Sequence, residues 1–356
     1  MSAGVRGGST REAVGPVDTA DAAIIDFAEA AYDLERGDEE WLPEMMMRGL
    51  RVLDQGLGVA AVEYGRLPEG GPVTILKIHV GSGPGDFPER HLAALAAMPP
   101  ELLRDQARPG QAATMSQSQA GHPEALEIYT KHVDYCKDVF GITAVDARGA
   151  GVAIVAPLPK VTSLSPQETQ RWEMLAAHLD AGHRLRQSLA AKDEPPAEDA
   201  LPYDAEAIFD PKNIKITDAI GKASERAARE KLREAAVSID RARGSMRNTN
   251  PQQALETWRA LVRGRWSTVD WFDTDGRRYV LALPNSPEVT DPRGLTERER
   301  QVVAYAALGQ TNKMIGYRLG LSRSRVSLLI RSAMRKLGVR TRVQLVSRVR
   351  EFDAMG

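Results

Sequence analysis

One cysteine, Cys136, is all the thiol chemistry that 356 residues provide. A lone thiol excludes an internal disulfide framework and fits a reducing compartment. No apolar run approaches the ~18 residues that a membrane-spanning helix needs. The opening stretch MSAGVRGGSTREAVGPVDTADAA lacks the apolar centre of an export signal. A cytoplasmic protein without membrane contact is expected. The usual marks of catalysis are missing as well. His79, His91, His122, His132, His178 and His183 form no H-E-x-x-H pattern, and His178 and His183 are spaced poorly for one metal. Asp273-x-Asp275-Gly276 opens like a calcium loop but lacks the downstream glutamate, so it reads as a hairpin turn. The Gly81–Gly85 stretch has no lysine of a phosphate loop. No acidic pair after a first strand marks a phosphorylation receiver. Neither an enzyme nor a cofactor is expected.

What is present is an uneven distribution of charge. Overall the chain is near neutral, at −1, with 42 % hydrophobic and 27 % charged residues, as in globular proteins. Residues 291–356, however, hold 14 Lys and Arg against 5 Asp and Glu, a net of +9. Residues 1–290 hold 33 against 43, a net of −10. One end suits a polyanion and the rest does not.

That basic end reads as four short helices. Thr296 with Glu299 forms a capping box, and Gly309 stops the helix that carries Val302, Val303 and Ala306. Thr311 caps a second helix ended by Gly320, Ser322 caps a third ended by Gly338, and Thr341 caps a fourth. Gly320-Leu321-Ser322 leaves only a tight turn between the second and third, which makes a helix-turn-helix. Val326, Ile330, Ala333 and Leu337 repeat at helical spacing and form the buried stripe of the third helix. Ser324, Leu328, Arg331 and Arg335 then face outward, flanked by Arg325 and Ser327. In a helix-turn-helix this is the face that meets DNA.

Leu295-Thr296-x-Arg298-Glu299, Gly309, Asn312-Lys313-x-Ile315, Leu319, Ser322, Val326 and Lys336-Leu337-Gly338-Val339-x-Thr341-Arg342 all fit one pattern. The segment resembles the LuxR-type, or GerE-type, DNA-binding domain. The family usually has Thr, Lys and His where this chain has Arg325, Ser327 and Leu329, so its operator preference does not carry over. Arg331 and Arg325 are expected to pair with guanine edges and Leu328 to meet a thymine methyl, and the resemblance implies that the Leu328 and Arg331 positions lie against base edges. Thr311, Asn312, Lys313, Ser322, Arg323, Lys336 and Arg342 complete the expected DNA-binding set, with capped helix starts and cations on phosphates. On the fourth helix Val343, Leu345, Val346 and Val349 make an apolar face, and the resemblance implies that it supports a homodimer. Promoter-reading ends of sigma factors share the L-x-x-R-E start and are the nearest alternative.

Upstream, residues 1–20 read as a disordered tail. Residues 21–190 run helix, helix, strand pair, helical middle, strand and long closing helix. LGVAAVEY (57–64) and VTILKIHV (73–80) are the strand pair, joined by PEGGP, and GVAIVAPL (151–158) is a central strand. Residues 86–140 read as mostly helical. Met45-Met46-Met47 reads as core filling. Ser165 and Glu168 box the start of the closing helix, which has a charged face. This layout resembles GAF-type sensor domains. Residues 191–202 are a Pro-bearing acidic linker. Residues 203–283 carry two strands, two helices and the hairpin RWSTVDWFDTDGRRYVLALP, resembling a small PAS-like domain, and 284–294 is a second linker. The expected fold is multidomain α+β followed by an all-α DNA-binding domain at 295–352.

The expected function is a homodimeric, sequence-specific transcription regulator. Its expected partners are double-stranded DNA, RNA polymerase and a small-molecule or protein signal at the N-terminal domains. Two other readings stand beside it. One is an interaction partner that sequesters related regulators, and the other is an enzyme with an appended DNA-binding module.

Overall fold

The computed structural model describes residues 19–353 apart from 65–74, 101, 104–109, 146–150, 191–199, 211, 213–214, 259–260, 263–265, 285–294 and 338. Residues 1–18 of the expected tail, the PEGGP turn, most of both linkers and the Gly338 stop therefore lie outside the described residues, and residues 19 and 20 already belong to a helix.

The N-terminal unit opens with α1 (Thr19–Ala30) and α2 (Asp38–Leu53). Of the three methionines on α2, Met45 and Met46 are fully buried while Met47 is 55 % exposed, because one helix face cannot hold three consecutive residues. β1 (Val59–Tyr64) and β2 (Ile75–Ser82) form the expected pair, followed by α3 (Phe87–Ala97). The expected helical middle is only partly helical. After β3 (Ala112–Thr114) and α4 (Glu124–His132), the chain leaves helical geometry at Val133 and enters β4 (Asp138–Val145). The run Val-Phe-Gly-Ile-Thr-Ala-Val is short and β-branched, which suits a strand and not the end of a helix. β5 (Gly151–Leu158) lies at the centre of an antiparallel sheet ordered β2-β1-β5-β4-β3.

Period-two alternation divides this sheet into two packed faces. Phe140, Ile142, Val152 and Ile154 meet α1, α2 and the closing helix α5 (Pro166–Ala190). Ala60 and Val139 face Phe87, Met98 and Tyr129 beneath α3 and α4. The start of α5 is boxed as expected: Glu168 N donates to Ser165 Oγ at 3.3 Å, and Ser165 N donates to the Glu168 carboxylate at 2.8 Å. Its expected charged face is only partly on the surface: Glu168 is exposed and Arg171, Glu173, Arg184 and Arg186 are half-buried, but Asp180 is buried, as are His178 and His183. The small residues Ala176, Ala177, Ala181 and Gly182 let other elements close in on every side of the helix.

The middle unit contains β6 (Ala207–Asp210), β7 (Lys215–Ala219), α6 (Arg226–Arg243) and α7 (Pro251–Thr257). It continues with β8 (Leu261–Val262), β9 (Trp266–Phe272) and β10 (Arg278–Pro284). Leu261 and Val262 pair with β9. Its sheet, ordered β7-β6-β10-β9-β8, repeats the strand order of the first. Phe209, Trp266 and Val280 pack on Leu232 of α6. Val269, Leu281, Leu283 and Trp258 belong to the same apolar core as α1, α2 and α5. The two units therefore share one core.

Four helices complete the fold: α8 (Glu297–Ala307), α9 (Asn312–Leu319), α10 (Arg323–Lys336) and α11 (Arg342–Asp353). They enclose a core of their own, with Val302, Val303, Ile315, Val326, Ile330, Ala333 and Leu345.

Candidate nucleic-acid interface

Local hydrogen bonds fix each helix of the C-terminal unit. Thr296 Oγ1 accepts from Glu299 N at 3.3 Å, and the Glu299 carboxylate accepts from Thr296 N at 2.8 Å. Lys336, at the far end of α10, donates to the same carboxylate at 2.6 Å, so the box also anchors that helix. Burial alone would raise the Glu299 carboxyl, but hydrogen bonds from Lys336, Ser332 and Thr296 outweigh it and hold the group down at about 2. Thr311 caps α9, and Gly320 ends it in the left-handed region at φ 61°. Ser322 Oγ then accepts from Arg325 N at 3.2 Å and starts α10. The turn between α9 and α10 is thus three residues long, as the glycine and serine require.

The outward face of α10 is where helical geometry places it. Ser324, Leu328, Arg331 and Arg335 are exposed, with Leu328 50 % accessible, and Arg323 and Arg325 stand exposed beside them. Thr311, Lys313 and Ser322 are exposed at the two helix starts. Several of the residues expected to meet DNA have internal partners. Asn312 Nδ2 donates to Ser327 Oγ at 3.0 Å, and Arg342 donates to Asn312 Oδ1 at 2.6 Å. Arg342 also donates to the Gln310 carbonyl at 2.5 Å, and Lys336 is held by Glu299. Asn312, Ser327 and Arg342 thereby form a polar chain through α9, α10 and α11.

The residues of the expected dimerisation face of α11 differ in exposure. Leu345 is fully buried against the unit's own core, because this face of α11 packs on α8. Val343 is 76 % exposed and Val346 half-buried, while the side chain of Val349 lies outside the described residues.

A second group of polar residues, unremarked in the sequence, joins this unit to the other two. Arg318 of α9 donates to Asp180 of α5 at 2.9 Å, with both side chains withdrawn from solvent. Tyr305 Oη donates to the same Asp180 Oδ2 at 3.2 Å, and Arg184 Nε donates to Oδ1 at 3.1 Å. Beside them, Tyr317 Oη donates to the Leu255 carbonyl at 2.8 Å and lies 2.7 Å from His178 Nε2. With its proton spent on that carbonyl, Tyr317 accepts from Nε2–H, and His178 Nδ1 accepts from Tyr32 Oη at 2.9 Å. Burial lowers His178 to about 3, so the ring is neutral and fits this arrangement. His183 goes elsewhere, to Glu63 at 3.1 Å. The sequence signal that could have flagged this junction is an aspartate set among Ala, Leu and Gly in MLAAHLDAG.

A tight capped turn, a separate small core and an open basic face on its second helix are the parts of a helix-turn-helix. Residues 293–349 match the luxR family of bacterial regulatory proteins, through its GerE domain. The match covers about a sixth of the chain and begins two residues before Leu295. It favours the luxR type over the sigma-factor alternative and points to a DNA-binding transcription regulator rather than an enzyme. No curated protein matches the chain. No helix among the described residues is long and apolar enough to cross a membrane. The GerE domain thus presents Arg323, Arg325 and Arg331 outward on α10 while burying Arg318 of α9 against α5.

Proposed function

We propose that the chain is a sequence-specific transcription regulator whose N-terminal and middle units act as a sensing body for the GerE domain. The single observation that carries the reading is the open face of α10, where Arg331, Arg325, Ser324 and Leu328 stand exposed on a strongly basic domain. Such a face is shaped for the major groove, with arginine forks against guanine and the leucine against a thymine methyl. Lys313, Arg323 and the starts of α9 and α10 supply phosphate contacts. The closing-helix layout of residues 21–190 supports a GAF-like unit, and the strand-and-hairpin order of 203–283 supports a PAS-like one. Two copies, meeting partly through Val343 and Val346, would read two half-sites about 34 Å apart. RNA polymerase and a small-molecule or protein signal are the further partners that this reading implies.

Selection from a random duplex pool, followed by affinity measurements across salt, tests the reading. Arg331→Ala is expected to cost about 1–3 kcal/mol on the selected sequence and to relax preference at one position. Lys313→Ala should weaken all sequences alike and lower the salt slope by about one. Recovery of no preferred sequence by the wild type, or the same one by Arg331→Ala, would overturn it.

A further inference from the structure

We propose that the contact of α9 with α5 is a releasable latch, in which Asp180 stores Arg318 and with it the GerE domain. Release of the pair frees the domain for DNA. This inference rests on the regulator reading above and names the device by which the sensing body acts.

Four observations carry it. First, Arg318 enters a slot built by the N-terminal unit. Gly110 lines that slot at φ 71°, and a Cβ there would overlap the guanidinium. Only glycine leaves this space at that backbone conformation. Second, the slot serves the arginine incompletely. Asp180 takes Nη1, while Nε and Nη2 are buried without hydrogen-bond partners among the described residues. Water or phosphate would satisfy those donors on departure, so the docked state carries a penalty that the released state does not.

Third, the module keeps its own core, and the large apolar side chains it lends to the shared core are Met314 and Tyr317. It can leave without unfolding. Fourth, docking holds a domain of net +9 beside a body of net −10. Duplex DNA approaching the docked domain meets that negative field, most strongly at low salt. A buried ion pair adds little adhesion over an apolar contact but permits one geometry only, which suits a two-state contact.

The test uses the full chain with Arg318→Met, Asp180→Leu, the double variant and Gly110→Ala. Hydrogen exchange reads the latch without DNA. In each single variant, peptides over 174–183 and 312–319 should lose protection together while 326–333 stays protected. The double variant, with an apolar pair in the slot, should regain it. Gly110→Ala leaves the GerE sequence native, so its effect cannot arise from a damaged module. Binding to a random-sequence duplex at low salt should tighten about fivefold or more in the single variants and return to wild type in the double. The gap should close as salt rises.

Unchanged protection in Arg318→Met and Gly110→Ala would show a contact without a latch and overturn the proposal. Lost protection with unchanged or weaker DNA binding would remove its regulatory role. Absence of DNA binding in every form, with exchange still responding, would instead strike the regulator reading on which the role depends.

Discussion

The middle unit and the GerE domain are both docked on the N-terminal unit, but by different physics. Trp258, Val269, Leu281 and Leu283 of the middle unit lie in one apolar core with Ile25, Phe27 and Leu175. Salt bridges at its margin, from Arg243 to Glu29 and from Arg247 to Asp26, add little beside that burial. The GerE domain contributes mainly directed polar contacts, Arg318 to Asp180 and Tyr317 to His178 and Leu255. Apolar burial is non-directional and scales with area, so the first joint tolerates small shifts. A buried ion pair either fits or fails. One joint is a shared apolar core, and the other is the contact proposed above to be releasable.

Trp258→Ala should give the largest effect that this comparison predicts. Trp258 is buried, stacks on Tyr32 at 6.4 Å and carries Arg243 over its ring at 4.9 Å. Its removal is expected to cost about 3–5 kcal/mol. Urea unfolding followed by hydrogen exchange should show the N-terminal and middle units lost together at lower denaturant. Loss of the middle unit alone would mean that the shared core is two cores.

Next in size is a contrast within α11. Leu345→Ala should destabilise the GerE domain by about 2–5 kcal/mol, whereas Val343→Ser in dilute, monomeric protein should stay within about 0.5 kcal/mol. Thermal unfolding of the two variants measures this. A further loss at Val343 that grows with protein concentration is what the proposed contact between two copies adds, whereas a large effect independent of concentration would place Val343 in the domain's own core.

Smallest is the pH response of the GerE core. Glu299 is held at about 2 against an ordinary value of 4.5, so its folded form favours the charged state. Its contribution is complete above about 4.5 and is lost as pH falls toward 2. Glu299→Gln should flatten the stability of the domain across that window. An unchanged slope would assign the acid sensitivity to other carboxylates.

These contrasts also show what the sequence made legible. The GerE helices were readable because caps and stops are local: Thr296, Thr311, Ser322 and Gly320 bond within four residues of themselves. The outward face of α10 followed from helical geometry alone. β4 was missed because Tyr135-Cys136-Lys137 separates helix from strand without a glycine or proline. The buried face of α5 was missed for a different reason. Whether a charged helix face is solvated depends on what packs on it, and Arg318 lies 138 residues from Asp180. Leu345 was assigned outward because the core that α11 covers is assembled by three other helices.

The slot at Gly110 bears on how such a protein can be recombined. DNA-reading modules are often exchanged between chains because each folds alone, and this one has the separate core to do so. Under the proposed latch, however, the N-terminal unit selects its passenger. A transplanted module lacking arginine at the position of Arg318 would leave Asp180 facing an empty cleft, with Arg184 and Tyr305's replacement as its remaining company. Such a chimera would be folded in both halves and unregulated at the joint. Inheritance of Gly110, Asp180 and Arg318 as a set is therefore the condition for this body and this module to remain one device.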